Sequence, residues 1–473
     1  MDSWANSRDL HLNLTLTPGA RGVRDQLLGA LRESVRSGRL SAGTALPPSR
    51  TLAADLGVAR NTVADVYAEL VAEGWLASRQ GAGTWVLDST HRGAPQPARP
   101  RGALPPPRHN LMPGSGDVAQ FPRAAWLAST RRALAAAPTE ALRMGDPRGR
   151  LELREALAGY LARARGVRVT PDSVVITAGT RHSVEILARM FGPERAIAVE
   201  AYGLFIFRDC IAAMGGTTVP IGFDDLGAAV ADLNAVDTPA ALVTPAHHYP
   251  HGVPLHPSRR TAIVEWAGRT ESLVLEDDYD GEFRYDRQPV GALQSLDPQR
   301  VIYLGSTSKS LTPVLRLGWM VAPTALVDEV VAAAGGQQFY VDGITQLTMA
   351  DFIVAGNYDK HIRRMRAIYR RRRDALVRRL APLAPAVTVT GLSAGLHLLL
   401  MLPDGAEPEV LRRAGAAGVG VAGLSRLRHP LADNNILRPD GVVVNFGTPG
   451  EHAFPHAVEA LATVLEQTVV RSA

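Results

Sequence analysis

"YLGSTSKSLTPVLRLGW", residues 303–319, runs from an apolar, strand-like stretch into a cluster of hydroxyls around one lysine, then through an arginine into a second apolar stretch. The lysine stands out. Of 51 basic side chains only Lys309 and Lys360 are lysines. A primary amine can lose its proton and condense with an aldehyde, which a permanently charged guanidinium cannot do. Ser306, Thr307 and Ser308 offer hydroxyls to a phosphate dianion, and Arg316 follows as a fixed positive fork. An aldehyde and a phosphate on one small ring describe pyridoxal 5'-phosphate (PLP), the expected cofactor, with Lys309 as its Schiff-base lysine.

Working outward, apolar runs recur between longer helical stretches: "SVVITAG", "AIAVE", "AALVTP", "SLVLEDD" and "VIYLGS". Such alternation predicts an α/β fold with a mainly parallel sheet wrapped by helices. "VLEDDYD" ends one run in paired carboxylates, and a buried Asp there can keep a pyridinium nitrogen protonated. "VVITAGTRHSVEILARM" passes from strand to helix at Gly179 and Thr180, where backbone N–H groups make a further anion site.

With 473 residues, 46% of them hydrophobic and 21% charged, the chain reads as globular and multidomain. Cys210 is the only cysteine, which rules out an internal disulfide framework and fits a reducing cytoplasm. The N-terminus lacks a basic start followed by an apolar run, and no apolar stretch reaches membrane-spanning length, so a cytoplasmic location is expected. The net charge of +5 is weak evidence for a nucleic-acid partner, because residues 1–87 hold nine arginines against eight acids. The excess lies at 88–110, where "HRGAPQPARPRGALPPPRHN" is too rich in Pro, Gly and Arg to fold, and reads as a linker. Residues 111–473 form the larger domain.

Residues 1–87 carry a different pattern. Val23, Leu27, Leu31 and Val35 make one helical stripe, and "SRTLAADLG" a short helix with Ser49 as N-cap and Gly57 as its stop. After "GVAR", Val63, Val66, Tyr67 and Leu70 mark a second stripe. Two short helices so joined predict a helix-turn-helix, with Asn61 and Thr62 where a recognition helix meets base edges. "LASRQGAGTWVL" reads as a wing around Gly81 and Gly83.

"GRLSAGTALPPSRTLAADLGVARNTVADVYAELVAEGWLASRQGAGTWV" resembles a GntR-type winged helix-turn-helix, and the chain from Leu111 onward resembles the fold-type I aminotransferases. Winged helix, linker and aminotransferase-like domain in that order resemble the MocR/GabR-type subgroup of GntR regulators. "MGDPRGRLELREALAGYLARARGV", "TPAHHYPHGVPLHPSRR" and "LEDDYDGEFRY" carry the same likeness. The resemblance implies that Arg50 and Arg60 hold DNA phosphates, Asn61 and Thr62 face the groove, and Arg79, Gly81 and Gly83 act at the wing. It also implies Asp277 as the pyridinium partner, Tyr279 as donor to the ring hydroxyl, and Gly179, Thr180, Ser306, Ser308 and Arg316 around the phosphate. Such regulators usually form head-to-tail homodimers.

Three departures bear on function. Val443 or a neighbouring valine in "GVVVNFGTPG" stands where amino-acid-binding relatives place an arginine, leaving Arg426 and Arg428 as substitutes. Leu204 stands where many relatives have a tyrosine, so ring contact falls to Tyr202 or Phe205. Arg181 replaces a glutamine of the phosphate loop. His248 and His251 read as loop histidines, with no metal site expected. These residues suggest a regulator whose effector is PLP itself, governing vitamin B6 synthesis as PdxR members do. A regulator sensing an amino acid or amine through the bound cofactor, and a working aminotransferase, are the alternatives.

Overall fold

The computed structural model describes residues 22–79, 81, 83–87, 107–285, 290–336, 341–391, 393–432 and 439–470. The chain divides into two compact units, Met1–Pro105 and Pro106–Ala473. Most of the proposed linker lies outside the described residues. His109 and Asn110, assigned to it by composition, instead pair with Val419 and Gly420 as a parallel strand of the large unit.

In the small unit α1 (Val23–Arg36), β1 (Ala45–Leu46), α2 (Ser49–Leu56), α3 (Arg60–Ala72), β2 (Leu76–Arg79) and β3 (Gly83–Val86) follow in order. The strands form a sheet β1-β3-β2, and β2 and β3 pair antiparallel from Leu76–Val86 to Arg79–Gly83. This is the expected wing. Leu27, Leu31, Leu52, Val63, Val66 and Leu70 are buried in one core, each contributing about 1.5–3 kcal/mol of transfer free energy. Arg32 and Glu73 join α1 to α3, with Nε donating to Oε2 at 2.7 Å. Gly57 ends α2 at φ 64°, as expected, but Ser49 is not the cap. Pro48 holds that position and Ser49 is the first helical residue, its side chain making no cap bond.

The large unit begins with β4 (His109–Asn110), α4 (Arg123–Ala136) and α5 (Leu151–Arg165). Then come β5 (Val174–Thr177), α6 (Thr180–Phe191), β6 (Ile197–Glu200), α7 (Phe205–Ala213), β7 (Thr218–Ile221) and the hairpin β8 (Phe223–Asp224) and β9 (Gly227–Ala228). They are followed by β10 (Ala240–Val243), α8 (Pro257–Thr270), β11 (Leu273–Asp277), β12 (Val301–Ser306) and β13 (Gly318–Val321). Helices α9 (Val327–Ala333), α10 (Gly343–Val354) and α11 (Asn357–Leu380) lead to a second, smaller sheet. That part comprises β14 (Thr388–Thr390), β15 (His397–Met401), α12 (Glu407–Ala416), β16 (Val419–Gly420), β17 (Ala422–Gly423), β18 (Gly441–Asn445) and α13 (Phe454–Leu465).

The main sheet has the order β5-β13-β12-β11-β10-β6-β7. Only β13 runs antiparallel to its neighbours. All five apolar runs singled out in the sequence are strands of this sheet. They are continuous rather than alternating because helices cover both faces, leaving no polar side. Parallel strands place their C-terminal ends along one edge, where such sheets bind ligands. No helix among the described residues is long and apolar enough to cross a membrane.

Candidate functional site

A cavity of about 400 Å³ lies at that edge. Gly179, Thr180 and Arg181 after β5, Glu200 at the end of β6, Asp277 at the end of β11 and Ser306 at the end of β12 all line it. Tyr279, Ser308, Lys309 and Arg316 complete the expected set. The structure therefore brings together every residue assigned to the cofactor except Tyr202.

Close packing of backbone shapes the part of the cavity around Gly179. Gly179 caps α6 at φ 103°, which favours glycine, and a Cβ on Gly318 would meet the Gly179 Cα at 2.6 Å. Thr307 closes the turn after β12, its N–H donating to the Leu317 carbonyl at 3.0 Å. The first residues of α6, Ser306, Ser308 and Arg316 all line the cavity, groups of the kind that bind an anion.

Lys309 Nζ donates to the Gly114 carbonyl at 2.6 Å. Burial lowers its pKa and the charge of Asp277 opposes that shift, so the amine loses its proton more easily than an exposed lysine. Asp277 is buried, its Oδ1 has no hydrogen-bond partner, and burial with the neighbouring Asp278 raises its pKa to about 8. A buried carboxyl oxygen without a partner, on a residue that lines the cavity, fits the ring nitrogen of a pyridine. Glu200 is also pushed up to about 8 by burial, though it accepts from the Thr244 hydroxyl at 2.7 Å.

These shifts give a pH prediction. A carboxyl whose folded pKa is raised binds more protons folded than unfolded, so stability falls as pH rises towards the folded value. Between pH 6.5 and 8, Asp277 should subtract at most about 1.4 kcal/mol per pH unit. Asp277→Asn should flatten the stability-versus-pH slope of the ligand-free protein in chemical denaturation. An unchanged slope would contradict the shift.

Tyr279 belongs to a buried relay. Its hydroxyl lies 3.1 Å from His247 Nδ1, which lies 2.9 Å from Asp280 Oδ2. Tyr279, His247 and Asp280 thus form one hydrogen-bonded group, in which a carboxylate can only accept. His397 joins this group, and the donor atoms of His247, Asp280 and His397 fall within 4.8 Å of one another. Sequence spacing missed the cluster because its members come from three separate segments. His248 and His251, by contrast, stack on Phe223 at 4.0 and 4.3 Å.

Tyr202 is a correction. It forms an isolated bridge with Arg428, and its ring packs edge-on against His251 at 5.0 Å, in the apolar cluster that also holds Val443. Leu204 and Phe205 line the cavity instead. Val443 is fully buried and Asn445, two residues on, reaches the lining. Arg426 lies at the cavity with its guanidinium 4.3 Å from the Phe205 ring centroid, whereas Arg428 donates to the Ala432 carbonyl at 3.0 Å. Gly114, Thr244, Tyr249 and His397 also line the cavity. Thr244 and Tyr249 lie in a stretch whose likeness was noted without a role for either, and no local motif marked Gly114 or His397, whose place depends on tertiary packing.

In the small unit Arg50 and Arg60 stand in the first turns of α2 and α3, and both are exposed, as is Asn61, while Thr62 is half-buried. Arg79 is exposed at the end of β2, opposite Gly83, and Gly81 between them adopts φ 86°. Among the described residues Arg50, Arg60 and Arg79 form no ion pair, unlike Arg24 and Arg32, which Glu69 and Glu73 engage.

Residues 24–86 match the model for bacterial regulatory proteins of the gntR family, and residues 112–417 the model for aminotransferase class I and II. The chain is 34% identical to the HTH-type pyridoxine biosynthesis transcriptional regulator PdxR of Corynebacterium glutamicum, over 91% of this chain and 93% of that one. It is likewise 34% identical to a Rhizobium meliloti protein named probable rhizopine catabolism regulatory protein MocR, over 85% and 86%. Kynurenine aminotransferase of Pyrococcus horikoshii superposes with a TM-score of 0.68 at 25% identity, over 76% of this chain and 91% of that one. The chain therefore belongs to the GntR-family transcriptional regulators of the MocR and PdxR type, in which a winged helix-turn-helix precedes an aminotransferase class I and II domain.

Proposed function

We propose that this regulator binds PLP at Lys309 and that loading changes its grip on promoter DNA, with genes of vitamin B6 synthesis as the favoured targets. The observation that carries the reading is the pairing, in one cavity, of an amine with a depressed pKa and a buried carboxyl with an unpartnered oxygen. PLP supplies an aldehyde reactive toward a primary amine. Lys309 offers that amine, and Asp277 holds a proton for a ring nitrogen. Tyr279, oriented by His247 and Asp280, donates a hydrogen bond to a ring oxygen. The N–H groups of Gly179 and Thr180, the hydroxyls of Ser306 and Ser308, and Arg316 bind the phosphate. The 34% identity to PdxR supports the B6 assignment. Val443, where amino-acid-binding relatives place an arginine, is buried in an apolar cluster and offers no cation to a substrate carboxylate, which disfavours aminotransferase turnover.

A homodimer belongs to the same reading. Leu127, Leu142, Met144 and Val314 of the large unit are 61–83% exposed, apolar side chains that a second copy could cover.

Footprinting on the promoter of its own gene tests the DNA half. Arg60→Ala should weaken binding to all sequences and lower the salt slope by about 1, as loss of one phosphate contact does. Asn61→Ala should cost about 1–3 kcal/mol on the preferred site and relax sequence preference. A wild-type protein that shows no preference over competitor DNA would defeat the reading.

A further inference from the structure

The charge of this chain is concentrated in one helix of the large unit. Helix α11 carries nine arginines and Lys360 against two acids, Asp359 and Asp374, a net +8 in a chain whose total is +5. Everything outside α11 is therefore acidic by three charges. The excess at residues 88–110, four arginines against one acid, is the smaller of the two.

The inner face of α11 is apolar, with Tyr358, Ile362, Met365, Tyr369 and Leu376 buried. Its outer face is cationic. Lys360, Arg364, Arg371 and Arg378 follow at spacings of four, seven and seven residues, so they form one row along the helix, and all four are exposed. Arg363 and Arg370 are exposed beside them. Among the described residues none of these six meets a carboxylate, for Arg163 takes Asp359 at 2.7 Å and Arg373 takes Asp374 at 3.4 Å. Arg364 donates only to the neutral Gln120. Exposed arginines elsewhere in the large unit are answered, Arg195 by Asp237 and Arg412 by Glu409, each at 2.7 Å. Lys360 and Arg364 stand four apart, a spacing at which like charges destabilise a helix. A row kept against that repulsion points to a partner that brings the negative charge.

The row is about 27 Å long at 1.5 Å per residue. Over that length one strand of a duplex presents about eight phosphates, one per 3.4 Å of axis. Both tyrosines of α11 are buried, so no ring is offered to an unpaired base, as single strands require. No large apolar side chain of α11 is exposed, so nothing on this face would enter a lipid surface. Duplex DNA is the polyanion that remains.

We propose that the outer face of α11 is a second DNA contact, made by the aminotransferase-like domain itself, which holds duplex phosphates without reading bases. This rests on the DNA half of the reading above. The test is fluorescence anisotropy of the full-length protein on a long duplex of arbitrary sequence, over a series of KCl concentrations. Lys360→Gln, Arg364→Gln, Arg371→Gln and Arg378→Gln combined should lower the salt slope by about 3–4 for each copy bound, at about 0.9 per phosphate contact. A control combining Arg189→Gln, Arg195→Gln, Arg269→Gln and Arg412→Gln, all exposed, changes the net charge equally and should lower the slope by less than about 1. Circular dichroism and the thermal midpoint show that both variants are folded. An unchanged slope in the α11 variant, or an equal drop in the control, overturns the proposal. So does a loss confined to single-stranded RNA or to vesicles of anionic lipid. Wild-type protein that binds no duplex would instead overturn the DNA reading beneath it.

Discussion

Lys309→Ala protein mixed with PLP should show no visible-absorbing covalent adduct, and its affinity for PLP should fall by about a hundredfold or more, roughly 2.7 kcal/mol. Some binding should persist, because Gly179, Thr180, Ser306, Ser308 and Arg316 still face the phosphate. The chain supplies its own control. Lys360, the other lysine, is exposed at the start of α11 and is not part of the cavity. Lys360→Ala should leave both absorbance and affinity intact. Absorbance spectroscopy with equilibrium dialysis reads both quantities, and an unaltered adduct in the Lys309 variant would remove the amine from the account.

The second large effect lies behind the site. Arg165, buried at the end of α5, engages Asp278 through Nε at 2.6 Å and Nη2 at 3.1 Å. Its Nη1 donates to the Gly281 carbonyl at 3.0 Å, and the Tyr303 hydroxyl donates to Asp278 at 2.7 Å. This network fixes the residue adjoining Asp277. Arg165→Ala leaves the Asp278 carboxylate buried without its cation, a loss of about 3–5 kcal/mol. Denaturant unfolding of the large unit should show that loss, with PLP affinity falling as Asp277 shifts. Gly281→Ala should also destabilise, because a Cβ there collides with both Asp278 and Arg165. A loss below about 1 kcal/mol for Arg165→Ala would mean that the pair is solvated, like surface pairs.

What the sequence revealed followed the reach of local physics. Apolar runs bounded by turns identify β5, β6, β10, β11 and β12, since a strand buried on both faces leaves a continuous signal. That Lys309, Asp277 and Gly179 would lie near one another could be expected because each follows or ends a strand of the same sheet, and all three line the cavity. Val23, Leu27 and Leu31 gave α1 by periodicity alone. The reversed direction of β13 and the smaller sheet β14-β15-β18-β17 were not legible, because pairing partners there are distant in sequence. Tyr202 was misplaced for a related reason. Its backbone bridges to Arg428, more than two hundred residues on, and its ring packs on His251 rather than lining the cavity. The His247–Asp280–Tyr279 relay and the Gly114 acceptor also depend on contacts that no window of sequence contains.

The claim that most needs testing is that the cavity governs the DNA reader. Fluorescence anisotropy of purified protein on its own promoter, titrated with PLP in wild type and Lys309→Ala, addresses it directly. PLP should change the wild-type affinity by about tenfold, a coupling of about 1.4 kcal/mol, and leave the variant unmoved over the same range. Equal responses in both proteins, or none in the wild type despite full loading, would contradict it.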